Sequence, residues 1–315
     1  MEPGAARVRV PCSTSNLGAG FDCIGLALDR YLEASFEPGG TELVLERSGT
    51  LASLSAGPDR DPLVAALRER LGRRGLELRG RLRVDSAIPV ARGLGSSAAA
   101  GLAGQALGAI ALGERFSPDE AWIRVAAAEG HPDNAAPCAF GGLIAVVPPV
   151  PGPHAKGRQP VRLPLSDTIG WAFAAPATEV PTERARRVLP SRIERETAVD
   201  SIRRMPALLR GLETGDAELV ATGFVGTLHV PHRLPLIPGG DEAMRAALAA
   251  GAWAVTISGS GSGLIAAGAR GEEAGVAEAM TLAFRSSARA HGGDVEGIVG
   301  FAVSADHEGT RVLAP

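Results

Sequence analysis

A turn of glycine and serine runs directly into an alanine-rich segment that ends at Leu112: Pro89, Val90, Ala91, Arg92, Gly93, Leu94, Gly95, Ser96, Ser97, Ala98, Ala99. Its two glycines have no Cβ, so the backbone can turn tightly and approach a ligand closely. A helix running from Ala98 to Leu112 would aim unpaired N–H groups and the positive end of its dipole into that turn. This is the build of a phosphate site. The two serines add hydroxyls that can donate to phosphate oxygens or ligate a divalent cation.

The surrounding sequence excludes the two commonest nucleotide motifs. A Walker A loop needs Gly-Lys followed by Ser or Thr, and the single lysine, Lys156, precedes Gly157. Protein kinases also place a lysine on the phosphates and carry an Asp-Phe-Gly triplet, which is missing here. Phosphate chemistry on this turn must rest on backbone amides, hydroxyls, a metal ion and arginine.

The formal net charge of −3 shows no excess of basic residues, which argues against a nucleic-acid partner. Cys12, Cys23 and Cys138 fit neither a disulfide framework nor a Cys-x-x-Cys metal pattern, and read as buried free thiols. The first ten residues lack the apolar core of a signal peptide. The apolar stretch to Leu112 is too short for a membrane span and is interrupted by Gly101, Gly104, Gln105 and Gly108. A cytoplasmic enzyme acting on a small molecule, with no membrane partner, is the expectation.

Strands are predicted at 7–10, 32–36, 43–47, 81–85, 169–174, 253–257, 264–267 and 298–304. Helices are predicted at 61–71, with Leu63, Leu67 and Leu71 on one stripe, and at 182–189, 197–213, 241–250 and 272–291. A further helix follows Ser117, an N-cap with Pro118 behind it and Glu120 three residues on. Ile202, Met205 and Leu209 recur at helical spacing and read as core. Strands and helices mix without a regular alternation, which indicates an α+β fold. The Pro- and Gly-dense stretch 147–164 reads as an exposed connection, giving domains of 1–155 and 156–315.

Three more segments accompany the turn: Asn16-Leu-Gly-Ala-Gly-Phe-Asp22 within 11–28, Glu129-Gly-His-Pro-Asp-Asn-Ala-Ala-Pro137, and Ser258-Gly-Ser-Gly-Ser-Gly263. With residues 89–99, which fit Pro-x-x-x-Gly-Leu-Gly-Ser-Ser-Ala-Ala at every defined position, they follow the order of the GHMP kinase motifs. The chain resembles that superfamily, and within it the homoserine kinases. The resemblance implies a ribosomal protein S5 domain 2-like N-terminal domain and a ferredoxin-like C-terminal domain. It also implies ATP-dependent phosphorylation of L-homoserine, feeding threonine synthesis, with ATP across residues 89–99 and Mg²⁺ at Ser97 and Glu129. A homodimer is compatible with the resemblance, which is its sole basis.

Homoserine is a zwitterion with a primary hydroxyl, so its site needs a cation, an anion and a group that aims the hydroxyl. The resemblance points to Arg186 and Arg233 for the carboxylate and Asp22 for the ammonium. Arg184 and Arg187 are rivals in register to Arg186. Asn16, His131 and Asn134 would orient the substrate. No strong base is evident, because Ser13, Thr14 and Ser15 stand where the mevalonate kinase branch carries a lysine. The expected mechanism is in-line attack aimed by Asn134, with Asp133 as the alternative base.

Two departures stand out. Asp61-Pro62-Leu63-Val64 replaces the Asn-Leu-Val run common near the adenine pocket. Ser262-Gly263 replaces Pro followed by Ser or Thr in the third motif. His229 and His232 read as ordinary polar loop histidines rather than a metal pair. The rival functions are another small-alcohol kinase of the superfamily and a non-catalytic ligand-binding member.

Overall fold

A computed structural model describes residues 3–149, 157 and 159–314. The cut expected between 155 and 156, and Lys156 itself, lie outside the described residues. The first sheet contains β1 (Ala6–Ser15), β2 (Ile24–Pro38), β3 (Leu43–Gly49), β4 (Gly80–Ser86), β5 (Leu143–Val147), β6 (Gln159–Leu163) and β11 (Arg311–Leu313). Its path runs β11-β1-β2-β4-β3, with β5 bridging β2 to β6. Between its strands lie α1 (Pro62–Gly72), α2 (Ser96–Ala111), α3 (Pro118–Glu129) and α4 (Ala135–Phe140).

The second sheet takes β7 (Ile169–Ala175), β8 (Ala254–Ile257), β9 (Leu264–Ala269) and β10 (Val299–Val303) in the order β10-β7-β9-β8. Numbered along the chain, that order is 4-1-3-2, the ferredoxin-like arrangement. Helices α5 (Thr182–Arg187), α6 (Arg195–Thr214), α7 (Ala217–Gly223), α8 (Val230–Arg233) and α9 (Gly240–Ala249) fill the first crossover, and α10 (Glu273–Ala290) the second. The mixture is α+β, as expected. Among the described residues, no helix is long and apolar enough to cross a membrane.

The first strand does not stop at residue 10. Pro11 cannot donate to a ladder, and the register with β2 shifts between Pro11 and Cys12, a bulge that tolerates the ring. The strand then continues to Ser15, carrying three buried hydroxyl residues, Ser13, Thr14 and Ser15, toward the cleft. Residues 159–163 also differ from the expected open connection, because they form a hairpin strand on β5. That strand and β11 give the first sheet segments from beyond residue 155.

Helix α2 is buried on almost every side, so its glycines serve packing. A Cβ on Gly104 would lie 2.3 Å from the Leu63 carbonyl oxygen, and one on Gly108 would lie 2.7 Å from Arg70 Cβ. Their absence lets α1 settle directly on α2, with Leu63, Leu67 and Leu71 inward as predicted. The reading of the α6 stripe as core holds only for Met205, half-buried against the core: Ile202 is 70% exposed and Leu209 also faces out, while Leu208, Gly211 and Leu212 are buried. Core and solvent faces of this helix are offset by one residue from the stripe read in the sequence.

Gly104→Ala should destabilise the fold by about 1–3 kcal/mol, because overpacking against backbone outweighs better helix propensity. Gly275, exposed on α10 with nothing near its Cβ position, should instead gain about 0.5–1 kcal/mol on substitution by Ala. Thermal unfolding of both variants checks the pair; a stabilised Gly104→Ala would contradict the packing.

Candidate active site

The turn before α2 is strained into place by its neighbours. Ala91, Gly93 and Gly95 have φ of 54°, 81° and 62°. A Cβ on Gly93 would lie 2.0 Å from the Ser258 carbonyl oxygen, and one on Gly95 would lie 2.5 Å from Ser13 Oγ. Gly95 is the N-cap of α2 and supplies no side-chain hydrogen bond, so the first amides of this long helix are uncapped.

A cavity of about 370 Å³ opens at that helix end. Of residues 89–99, Val90, Ala91, Gly93, Gly95, Ser96 and Ser97 line it. Pro89, Leu94, Ala98 and Ala99 are buried outside the lining. Arg92 is also absent from it: its guanidinium donates to the Ala177 carbonyl at 2.6 Å and pairs with Glu179 at 3.4 Å. The backbone and serines of the turn, rather than its cation, face the cavity.

Glu129, the last residue of α3, lies beside Ser97 on the cavity wall. Its Oε2 is buried and has no hydrogen-bond partner among the described residues. Burial pushes the carboxyl above its ordinary value, opposed by His131 and by a hydrogen bond with Ser97. An unpartnered buried carboxylate oxygen beside a hydroxyl is a donor set suited to a hard cation with few protein ligands. Among the described residues no group of three or more His, Cys, Asp or Glu side chains could hold a metal alone.

After α3, the chain presents His131, Asp133 and Asn134. His131 Nδ1 lies 3.0 Å from Asp133 Oδ1, and that hydrogen bond raises the His131 pKa. Burial pushes the Asp133 carboxyl up, but His131 and Ser15 outweigh it and hold it below the ordinary value. Asn134 is gripped by β1: its Oδ1 accepts from Ser13 Oγ at 3.0 Å, and its Nδ2 donates to Ser15 Oγ at 3.0 Å. One Nδ2 hydrogen remains for a ligand.

The opposite wall joins residues from both halves of the chain. Asn16, at φ 62°, accepts from the Asp22 backbone N–H at 2.8 Å and donates to the Gly259 carbonyl at 2.7 Å. Arg233, only 1% exposed, donates through Nη1 to that same carbonyl at 3.1 Å and through Nε to the Ala185 carbonyl at 3.2 Å. Arg186 forms a two-pronged pair with Asp22 at 2.9 and 3.2 Å. Of the three arginines in register, Arg186 lines the cavity, whereas Arg184 and Arg187 are exposed and Arg187 pairs with Glu183. Asp22 lines a smaller adjoining cleft of about 250 Å³, which shares His131 and Arg186 with the main cavity.

Thr182 and Ser260, 3.3 Å apart by their hydroxyls, also line the cavity and were not singled out in the sequence. Thr182 stands four residues before Arg186, on the same helical face, which is the signal that could have found it. Leu51, Leu54, Val84 and Ser86 form an apolar end with no local motif. There Asp61 caps α1 and pairs with Arg47 at 2.6 Å, leaving Pro62 to present only its ring. His229 is fully buried whereas His232 is exposed, so the two do not form a metal pair.

Residues 62–142 match the family described as GHMP kinases N terminal domain. The chain is 40% identical to a homoserine kinase of Moorella thermoacetica over 88% of its length and 92% of that protein. It is 38% identical to one from Synechococcus sp. over 89% of each. The crystal structure of a homoserine kinase from Cytophaga hutchinsonii superposes with a TM-score of 0.80 at 25% identity, covering 98% of this chain and 97% of that one.

The thiols near this site should be inert. Burial, with the Asp133 and Asp22 charges, pushes Cys23 to about 11, and burial pushes Cys12 to about 12. Cys138, whose Sγ lies 3.2 Å from Ser13 Oγ, is also raised by burial, well above the ordinary thiol value. At pH 8 the folded chain should react with iodoacetamide about 10²-fold more slowly than the unfolded chain. Equal labelling rates by mass spectrometry would contradict this burial.

Proposed function

The chain belongs to the homoserine kinase family of the GHMP kinases, and from that membership we propose that it transfers the γ-phosphoryl group of ATP to the hydroxyl of L-homoserine, yielding O-phospho-L-homoserine for threonine biosynthesis. One observation carries the substrate assignment: the bidentate Asp22–Arg186 pair beside the buried Arg233, at one end of a cavity whose middle is an uncapped helix N-terminus.

Asp22 and Arg186 neutralise each other. A zwitterion can replace both partners at once, its ammonium taking Asp22 and its carboxylate taking Arg186 and Arg233. An alcohol lacking either charge would leave one side chain unpaired, a penalty that works as selectivity. Arginine suits this role because its planar fork matches a carboxylate.

The triphosphate would lie over Val90–Ser97, its oxygens facing the first amides of α2, with the base in the apolar end near Leu51, Leu54 and Pro62. Ser97 and Glu129 would hold Mg²⁺, which neutralises charge on the β- and γ-phosphates when bound. Asn134, fixed by Ser13 and Ser15, would aim the hydroxyl along the line of the γ-phosphate. The hydroxyl oxygen bonds to phosphorus as the bond to the β-phosphate oxygen breaks; ADP leaves, and the hydroxyl proton passes to solvent or to a phosphoryl oxygen.

Asp133 is a weak base, because its partners hold its pKa low. Its proposed task is to orient His131 against the substrate. Phosphoryl transfer is carried mostly by positioning and charge stabilisation, which this site can supply without a strong base.

A coupled ADP-release assay with homoserine, serine, threonine, mevalonate and galactose should show activity with homoserine far above the rest. No homoserine-dependent ADP would sink the assignment. Asp133→Asn should lower kcat by less than the ~10²-fold expected at least for loss of a general base. Abolished turnover with unchanged substrate affinity would instead identify Asp133 as the base.

A further inference from the structure

The acceptor end contains a buried group that phosphoryl transfer does not use. His229 is 0% exposed, and neither ring nitrogen has a hydrogen-bond partner among the described residues. The backbone carbonyls of Asn16 and Gly18 that favour its protonation fall short of hydrogen-bonding geometry. Burying an imidazole without partners is costly, so a ring retained here needs another role.

That ring lies flat against Phe21, with centroids 5.0 Å apart and planes inclined by 16°. Arg233, four residues on at the end of α8, places its guanidinium 5.1 Å from the centre of the same Phe21 ring. Phe21 immediately precedes Asp22, whose own φ of 56° ties its carboxylate direction to the local backbone. A single aromatic ring thus joins the residue proposed to take the substrate carboxylate to the chain that carries the residue proposed to take its ammonium. Burial and the adjacent Arg233 charge push the His229 pKa down to about 3, so the plate is neutral at physiological pH.

We propose that the His229–Phe21–Arg233 stack is the spacer that sets the distance between the carboxylate-binding and ammonium-binding groups, with Phe21 and His229 as positioning residues that select α-amino-acid acceptors. The proposal rests on the roles assigned above to Asp22 and Arg233. Loosening the Phe21 ring frees Asp22 to drift from its register with Arg233. The phosphate turn is anchored by Ser258 Oγ on the Gly93 carbonyl at 2.7 Å, a contact in which neither the Phe21 nor the His229 ring takes part. Loss of either ring should therefore disturb the acceptor before the nucleotide. Histidine acts here as a flat neutral ring, so another flat ring should replace it.

The test is steady-state kinetics on the full chain, with homoserine and ATP varied separately, for the wild type, Phe21→Leu, His229→Ala, His229→Phe and Phe21→Leu/His229→Ala. Phe21→Leu keeps apolar volume without the flat ring. Phe21→Leu and His229→Ala should each raise the homoserine KM by about 10-fold or more while the ATP KM stays within about 2-fold, as expected for misplacement confined to one substrate. The double variant should be no worse than the worse single variant, since both break one stack. His229→Phe should return the homoserine KM to within about 3-fold of wild type.

Parallel increases in both KM values, the outcome of a merely structural role, would overturn the proposal. So would additive effects in the double variant, an unchanged homoserine KM, or failure of His229→Phe to recover it. A wild type without homoserine turnover removes the functional assignment and the spacer with it; wild-type turnover without the KM split removes the spacer alone.

Discussion

Two glycine turns from opposite halves of the chain are pressed together backbone to backbone, and the site depends on that contact. Ser258 Oγ donates to the Gly93 carbonyl at 2.7 Å, the Gly263 N–H donates to the Arg92 carbonyl at 3.1 Å, and the Gly259 N–H donates to the Ser15 carbonyl at 3.0 Å. Buried backbone groups must be paired, and here each turn pairs the other. The phosphate turn is thereby held rigid without spending the first amides of α2, which remain uncapped. The same contact explains why neither turn tolerates a Cβ at its centre: side chains would separate two strips of backbone that must touch.

From this junction the acceptor end is built by a closed series of hydrogen bonds. Asn16 ties Asp22 to Gly259, Gly259 receives Arg233, Arg233 reaches Ala185, and the next residue, Arg186, returns to Asp22. Such a network is costly if half satisfied and rigid when complete. Its charged members belong to both halves of the chain. The proposed acceptor site therefore requires the first sheet and the crossover helices of the second to be docked correctly.

Much of this was legible in the sequence because the site is built from short contiguous motifs. Gly93, Gly95 and Ser97 announced a phosphate turn through residue type alone, and Ser117-Pro118 announced α3 through capping chemistry. The pieces that were not legible depend on partners far along the chain. Pro11 looked like a strand end because the bulge that absorbs it is formed with Tyr31 and Leu28 of β2. Arg92 fell within the stretch expected to carry ATP, and nothing local reveals Ala177 or Glu179 beside it. His229 looked like a polar loop residue because the ring that stacks on it, Phe21, lies more than 200 residues earlier. The face of α6 differs from the expected one because helical spacing gives a stripe but not which stripe meets the neighbouring elements, here α7 and residues 18–20.

The central claim is that the Asp22–Arg186 pair is a stand-in for a zwitterionic substrate. A crystal structure of the complex with ADP, Mg²⁺ and homoserine tests it most directly. The account predicts that the two-pronged pair opens, with the ammonium on Asp22, the carboxylate on Arg186 and Arg233, and the hydroxyl beside Asn134. A closed Asp22–Arg186 pair with homoserine bound elsewhere in the cavity would contradict it.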